Sequence, residues 1–173
     1  MTPTEINKAL DGMVLIVDTR EQDTPQLRQR LESAHCEFKR GKVDFGDYSA
    51  SFPLPGGETL DLTQKVSIER KMSIDELAMC FGRERPRFER EFERAKKAGA
   101  KLYLLVENGD WGNIFSHKYA SLMKPESLLA SIFAYLARYN CQLIFCAPGE
   151  SGKLIKAILR YEGRERLEGM LND

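Results

Sequence analysis

The sequence predicts a three-layer α/β domain in which a mixed central sheet is flanked by helices. Three observations carry that prediction. Segments of strand length at 13–17, 66–71, 101–107 and 141–147 are apolar or alternating, as strands covered by other layers are. Helical patterns separate the later segments, the order expected of parallel neighbours joined by crossovers. Between the first and second lies a stretch that fits a hairpin, so the sheet is mixed.

Taken in order, residues 2–11 form a short helical lead-in, with Gly12 as a natural stop. Met13 to Val17 is apolar at every position. Thr24 followed by Pro25 is an N-cap and first-turn signal, and Leu27, Leu31 and Ala34 give that helix its apolar face. Phe38 to Tyr48 alternates in the manner of one or two strands, and Pro53, Pro55, Gly56 and Gly57 follow as a loop. Ser73 with Glu76 three residues on forms a capping box that opens a helix through Phe81. Pro86 starts another, which ends at Gly99. Residues 125–139 carry Leu128, Leu129, Ile132, Phe133 and Leu136 in a strongly apolar helix, and Pro148 starts the last major helix, through about Tyr161. On this reading 1–173 is one domain, with 1–12 as lead-in and 162–173 as a C-terminal tail.

Composition bounds the function. A chain of 173 residues has room for one continuous core. Its 42% hydrophobic and 30% charged content excludes a disordered or membrane-spanning class. The start, MTPTEINKALDG, lacks the layout of a signal peptide, so the expected compartment is the cytoplasm, with a nucleoid or nuclear association depending on the host. Lys plus Arg and Asp plus Glu are 26 each, so overall charge cannot gather a polyanion and any nucleic-acid contact must be local. Cys36, Cys80, Cys141 and Cys146 with His35 and His117 lack zinc-site spacing and read as reduced, mostly buried thiols and isolated imidazoles. The stretch A-P-G-E-S-G-K-L is not a phosphate loop, because Ala147 and Leu154 stand where glycine and a hydroxyl residue are required.

The acids attached to strands carry the chemistry, since a carboxylate at a sheet rim is costly unless a cation or hydrogen bonds satisfy it. Asp18 ends the first apolar strand, Asp47 follows Gly46, and Glu69 and Lys71 lie two apart in V-S-I-E-R-K. Glu69 and Lys71 therefore share one face of their strand, while Val66, Ile68 and Arg70 take the other. If Asp47 reaches the same side, two carboxylates can hold Mg²⁺ or Mn²⁺ beside an ammonium. That is a phosphodiester-cleaving site in outline.

I-V-D-T-R-E at 16–21, G-D-Y at 46–48 and I-E-R-K-M-S-I-D at 68–75 resemble, in order, the three motif blocks of the XPF family of structure-specific endonucleases. The resemblance runs more loosely over about 150 residues; Arg87-Phe88 with Glu91 is similar to the family's arginine-led helix, with Glu91 in place of its usual glutamine. It implies a restriction-endonuclease-like fold and a metal-dependent DNA endonuclease acting on branched or single-strand-containing DNA in repair or recombination. It also implies Asp47, Glu69 and the Arg70 backbone carbonyl as metal ligands and Lys71 as the catalytic lysine. Asp18 would hold a metal-bound water or a second ion. Glu21, with Asp18 and Arg20, matches the family's other active-site block, in which Arg20 would contact phosphate, steadied by an acidic neighbour, and Asp75 would close the motif. Asp75 reads equally well as an acid meeting a helix dipole.

After Pro86, Arg87, Arg90, Arg94 and Lys97 recur on one helix face opposite Phe88, Phe92 and Ala95. Glu89, Glu91 and Glu93 stand ready to neutralise the row in intrahelical pairs. With the nuclease motif upstream, the row is expected to follow a DNA backbone, Arg87 first. Trp111, Phe115 and Tyr119 read as a small core in preference to a base-stacking platform. Many XPF-type proteins carry tandem helix-hairpin-helix modules; with none in these 173 residues, the resemblance implies a helper protein or a homodimer, the latter through last helices bearing Leu128, Ile132, Phe133, Leu136 and Ile158, residues that burial inside one subunit explains equally well. The competing readings are a catalytically silent DNA-binding scaffold subunit and a restriction- or recombination-type exonuclease.

Overall fold

The computed structural model describes residues 1–170. Seven strands form one sheet: β1 (Val14–Asp18), β2 (Glu37–Gly41), β3 (Tyr48–Pro53), β4 (Thr59–Asp61), β5 (Val66–Lys71), β6 (Lys101–Glu107) and β7 (Cys141–Cys146). Their order is β2-β1-β3-β5-β6-β7, with β4 paired to β3. β1 and β2 are parallel, β3 is antiparallel to β1, β4 and β5, and β5, β6 and β7 run parallel. The sheet is therefore mixed, and β3 is the strand that reverses direction between two parallel halves.

Helices cover both faces. On one side α1 (Pro3–Asp11), α2 (Pro25–Ala34) and α7 (Ser151–Gly169) pack Leu10, Leu27, Leu31, Ile155 and Leu159 against Leu15, Val17, Phe52, Ile68 and Leu105. On the other, α3 (Ile74–Phe81), α4 (Arg85–Lys97), α5 (Trp111–Phe115) and α6 (Pro125–Arg138) pack Leu77, Phe81, Phe88, Phe92, Ile132 and Tyr135 against Leu102, Leu104 and Val106. Alternation along β5 and β6 sorts the side chains between these cores. Burying each large apolar side chain contributes roughly 1.5–3 kcal/mol, so two cores on one sheet hold it rigid as a platform.

Most element signals hold. Thr2 and Thr24 cap α1 and α2 through their hydroxyls, and Ser73 Oγ accepts from Glu76 N at 3.2 Å. The expected box at α3 is half formed, because the Glu76 carboxylate takes Met72 N–H at 2.7 Å. Three readings are corrected. The hairpin is β3–β4 across the Pro53–Gly57 loop, whereas β2 lies at the sheet edge, exposed and parallel to β1. The short helix α5 went unread. Finally, α7 runs on to Gly169, so most of the supposed tail is helix. Gly163 looks like a stop in the sequence, but a Cβ there would lie 2.3 Å from the Phe52 ring, so the residue lets α7 lie directly on the sheet. Leu167, beyond it, is fully buried. The remaining three residues of that segment, 171–173, lie outside the described residues.

Candidate active site

The loop between β2 and β3 brings Asp47 to β5. Gly46 has φ 85°, and a Cβ there would press within 3.0 Å of the Ile68 carbonyl, so a left-handed, side-chain-free residue is needed at this turn. Asp47 N donates to Ile68 O at 2.8 Å, and Asp18 N donates to Asp47 O at 2.9 Å. Asp47 is thus fixed between β1 and β5. Its Oδ2 accepts from Arg70 N at 2.8 Å.

Glu69 and Lys71 project from β5 toward the α3–α4 side, both buried, with Lys71 Nζ 2.5 Å from Glu69 Oε1. Glu76 Oε1 stands 3.8 Å from the same ammonium, and the Phe88 ring lies 5.3 Å beneath it. Burial, with Glu69 and Glu21 nearby, drives the Asp47 carboxyl well above its ordinary range. Burial likewise raises Glu69, outweighing the Lys71 charge beside it. For Lys71, burial favours the neutral amine, but Glu69 prevails and the group is held as a cation.

Asp18 is buried, and its oxygens are spoken for. Oδ1 accepts from Arg20 N at 2.8 Å and Arg20 Nε at 2.6 Å, and Oδ2 accepts from Val43 N at 2.8 Å. Burial opposes its ionisation, yet these bonds hold its pKa below the ordinary value. Arg20 also reaches Val43 O at 3.1 Å, so this pair braces the loop that delivers Asp47. Glu21 Oε2 accepts from Tyr48 Oη at 3.2 Å. The Asp75 carboxylate turns away from the group and accepts from Ser121 N at 2.6 Å, clamping the segment before α6.

The basic row is less self-neutralised than its sequence suggests. Glu89 pairs with Arg138 at 2.9 Å, Glu93 accepts from Tyr139 Oη at 2.7 Å, and Glu91 accepts from Gly46 N at 2.8 Å. With its glutamates turned toward other elements, α4 leaves Arg87, Arg90 and Lys97 without ion pairs among the described residues. Arg94 leans on Asp44 O at 3.3 Å. Arg87 lines the small cavity over Glu69 and Lys71, together with Glu76, Glu84, Phe88 and Glu91. Trp111 stacks on Phe133 and meets Phe145 edge-on, but Trp111, Phe115 and Phe133 are exposed, so of the expected small core only Tyr119 packs partly buried against the α3–α6 side.

Sequence reasoning missed Glu91 as the link between α4 and the Gly46 turn, and it missed Tyr48, Arg30 and Glu107 behind β5. Tyr48, as the residue after G-D, and Glu91, in the place of the resembled family's glutamine, carried signals; Arg30 and Glu107 carried none. Among the described residues no group of three His, Cys, Asp or Glu is arranged to hold a metal ion. The oxygen donors gathered on β5 are Asp47, held on Arg70 N, and the neighbouring Glu69, donors of the kind that suit a hard cation retaining several waters.

The ERCC4 domain family matches residues 17–158 of the chain. In structure the chain is similar to XPF from Aeropyrum pernix, with a TM-score of 0.61 and 21% identity over 86% of this chain and 61% of that one. No curated protein matches in sequence.

Proposed function

The chain belongs to the ERCC4 domain family and carries an XPF-type nuclease domain, and on that premise we propose that it is a metal-dependent DNA endonuclease that cuts branched or single-strand-containing DNA. The observation that carries this reading is the anchoring of Asp47 to β5, through Ile68 O and Arg70 N, on the strand that bears the buried Glu69–Lys71 pair. Mg²⁺ or Mn²⁺ held by Asp47, Glu69 and the Arg70 carbonyl would supply charge that polarises the phosphodiester and acidifies a water. Lys71 offsets the negative charge that grows on the phosphoryl oxygens as water attacks phosphorus and one P–O ester bond breaks. Asp18 and Arg20 position Asp47 through the 43–46 loop, and Asp75 positions α3. Arg87, Arg90, Arg94 and Lys97 hold the DNA backbone without reading sequence. Leu128 and Ile132, expected at a subunit seam, are instead buried in this subunit's own core; half-exposed Phe133 and exposed Phe115 and Leu122 offer the apolar area for a second copy or a helper protein.

Labelled linear duplex, flap, fork and single-stranded DNA incubated with Mg²⁺, Mn²⁺ or chelator test the proposal. Internal cuts near single-strand junctions that vanish in chelator are expected. Cleavage that survives chelation overturns the mechanism. Binding without cleavage in either metal favours the silent scaffold, and digestion from duplex ends favours an exonuclease.

A further inference from the structure

The face of β5 that turns away from Glu69 and Lys71 opens on a second cavity, of about 510 Å³, lined by Gln26, Gln29, Arg30, Arg70, Glu107 and Gly149 among others. The catalytic reading leaves this cavity without a role. Its ionisable lining is two guanidinium groups and one carboxylate. Arg30 and Glu107 are each only 7% exposed at the side chain, and Arg70 18%. Arg30 Nε lies 3.4 Å from Glu107 Oε1, and Arg70 Nη1 lies 3.0 Å from Glu107 Oε2, so two enclosed cations share one anion.

Arg30 spends its remaining bonds on neutral partners, Tyr48 Oη at 3.1 Å and Ser151 Oγ at 3.2 Å. Its Nη2, and Nε and Nη2 of Arg70, donate to no group among the described residues. Two guanidinium groups thus share one lining carboxylate, with Glu21 reached only through Tyr48 Oη, and they present to open space unused donors of the fork geometry that grips tetrahedral oxyanions.

We infer that this cavity is an anion site that takes a phosphate group of a nucleic-acid strand, separately from the carboxylate pair on the opposite face of β5. The preference for a nucleic-acid phosphate rests on the nuclease reading, whereas the anion chemistry stands without it. Residue 70 lies between 69 and 71, so the two sites are back to back at one end of β5. A strand carries one charge per roughly 3.4 Å of helix axis, so a backbone crossing that end presents phosphates to both.

The test uses the full chain in chelator, where no cleavage intervenes, and follows the amide resonances of Gln29, Asn108 and Gly149 by NMR. Inorganic phosphate is titrated first, then a short 5′-phosphorylated oligonucleotide and an aspartate-rich peptide. Saturable shifts with phosphate are expected, displaced by the oligonucleotide. Gln29→Glu, an exposed substitution that puts a negative charge at the mouth, should raise the apparent Kd at least tenfold with unchanged circular dichroism. Arg30→Lys, which keeps the charge and loses the fork, should weaken binding less than Gln29→Glu. Absence of saturable shifts, or affinity unaltered by Gln29→Glu, overturns the site. A peptide that outcompetes the oligonucleotide makes it a protein-docking pocket instead. Because nothing here depends on cleavage, an inactive nuclease with a working anion site, or the reverse, is read directly.

Discussion

Lys71 and Glu69 neutralise one another in a buried pair, so removing either leaves the other exposed to the full cost of burial. Lys71→Ala should lower cleavage more than tenfold, about 1.4 kcal/mol or more of barrier, with DNA affinity in chelator nearly unchanged. Single-turnover kinetics and a binding isotherm check the two halves. Asp18 responds differently. Its pKa lies below the ordinary 3.8, so the folded state releases its proton more readily than the unfolded chain. The stability it contributes is fully present above 3.8 and is lost as pH falls through the folded value. Asp18→Asn turns an amide group toward N–H donors and should cost about 1–3 kcal/mol at neutral pH. Thermal unfolding should show that gap narrowing as pH is taken below 3.8. At this scale the sequence was legible where partners are close along the strand. Glu69 and Lys71 share a face by period alone, whereas Arg30 and Glu107 are 77 residues apart and meet only because α2 folds over the ends of β5 and β6.

Helix α4 shows how an element's charge depends on what its flanks touch. Its arginines and glutamates alternate in a way that suggests self-pairing, but Glu89, Glu91 and Glu93 are drawn to Arg138, Gly46 and Tyr139. The basic row is consequently freer than isolated helix pairs, each worth roughly 0.2–0.5 kcal/mol, would leave it. Arg87→Ala with Arg90→Ala should weaken DNA binding and flatten the dependence of log K on log salt by about one per lost phosphate contact. An unchanged slope removes α4 from the DNA path. Element boundaries were readable where capping residues or proline mark them, as at Thr24, Ser73 and Pro125. They were not readable where packing overrides local signal: α7 passes through Gly163 because Phe52 lies beneath it, and β2 gives no core pattern because it stands at the open edge.

Across the whole molecule, charge is balanced while the site is not. Asp47, raised by burial, Glu69 and Glu21, loses stabilisation as pH rises from its ordinary range through its folded value, so the cation-free fold is strained electrostatically at neutral pH. Mg²⁺ added at neutral pH should therefore raise Tm, and Asp47→Asn should raise the cation-free Tm while abolishing the Mg²⁺ response. Differential scanning calorimetry with and without chelator measures both. The mixed sheet itself was legible because the strands fall in a readable order. That β3 inverts between β1 and β5 was not, since the pairing of Tyr48 with Ile68 and Val17 is set by the tertiary fold.

The Lys71–Glu69 contact has one more implication. In the resting protein the carboxylate already has a tethered counterion, so uptake of a metal is an exchange in which a newcomer must outbid an amine that never diffuses away. A monovalent ion brings no more charge than the lysine it would displace. A doubly charged ion would, so if the proposed metal dependence holds, one strand favours divalent over monovalent cations.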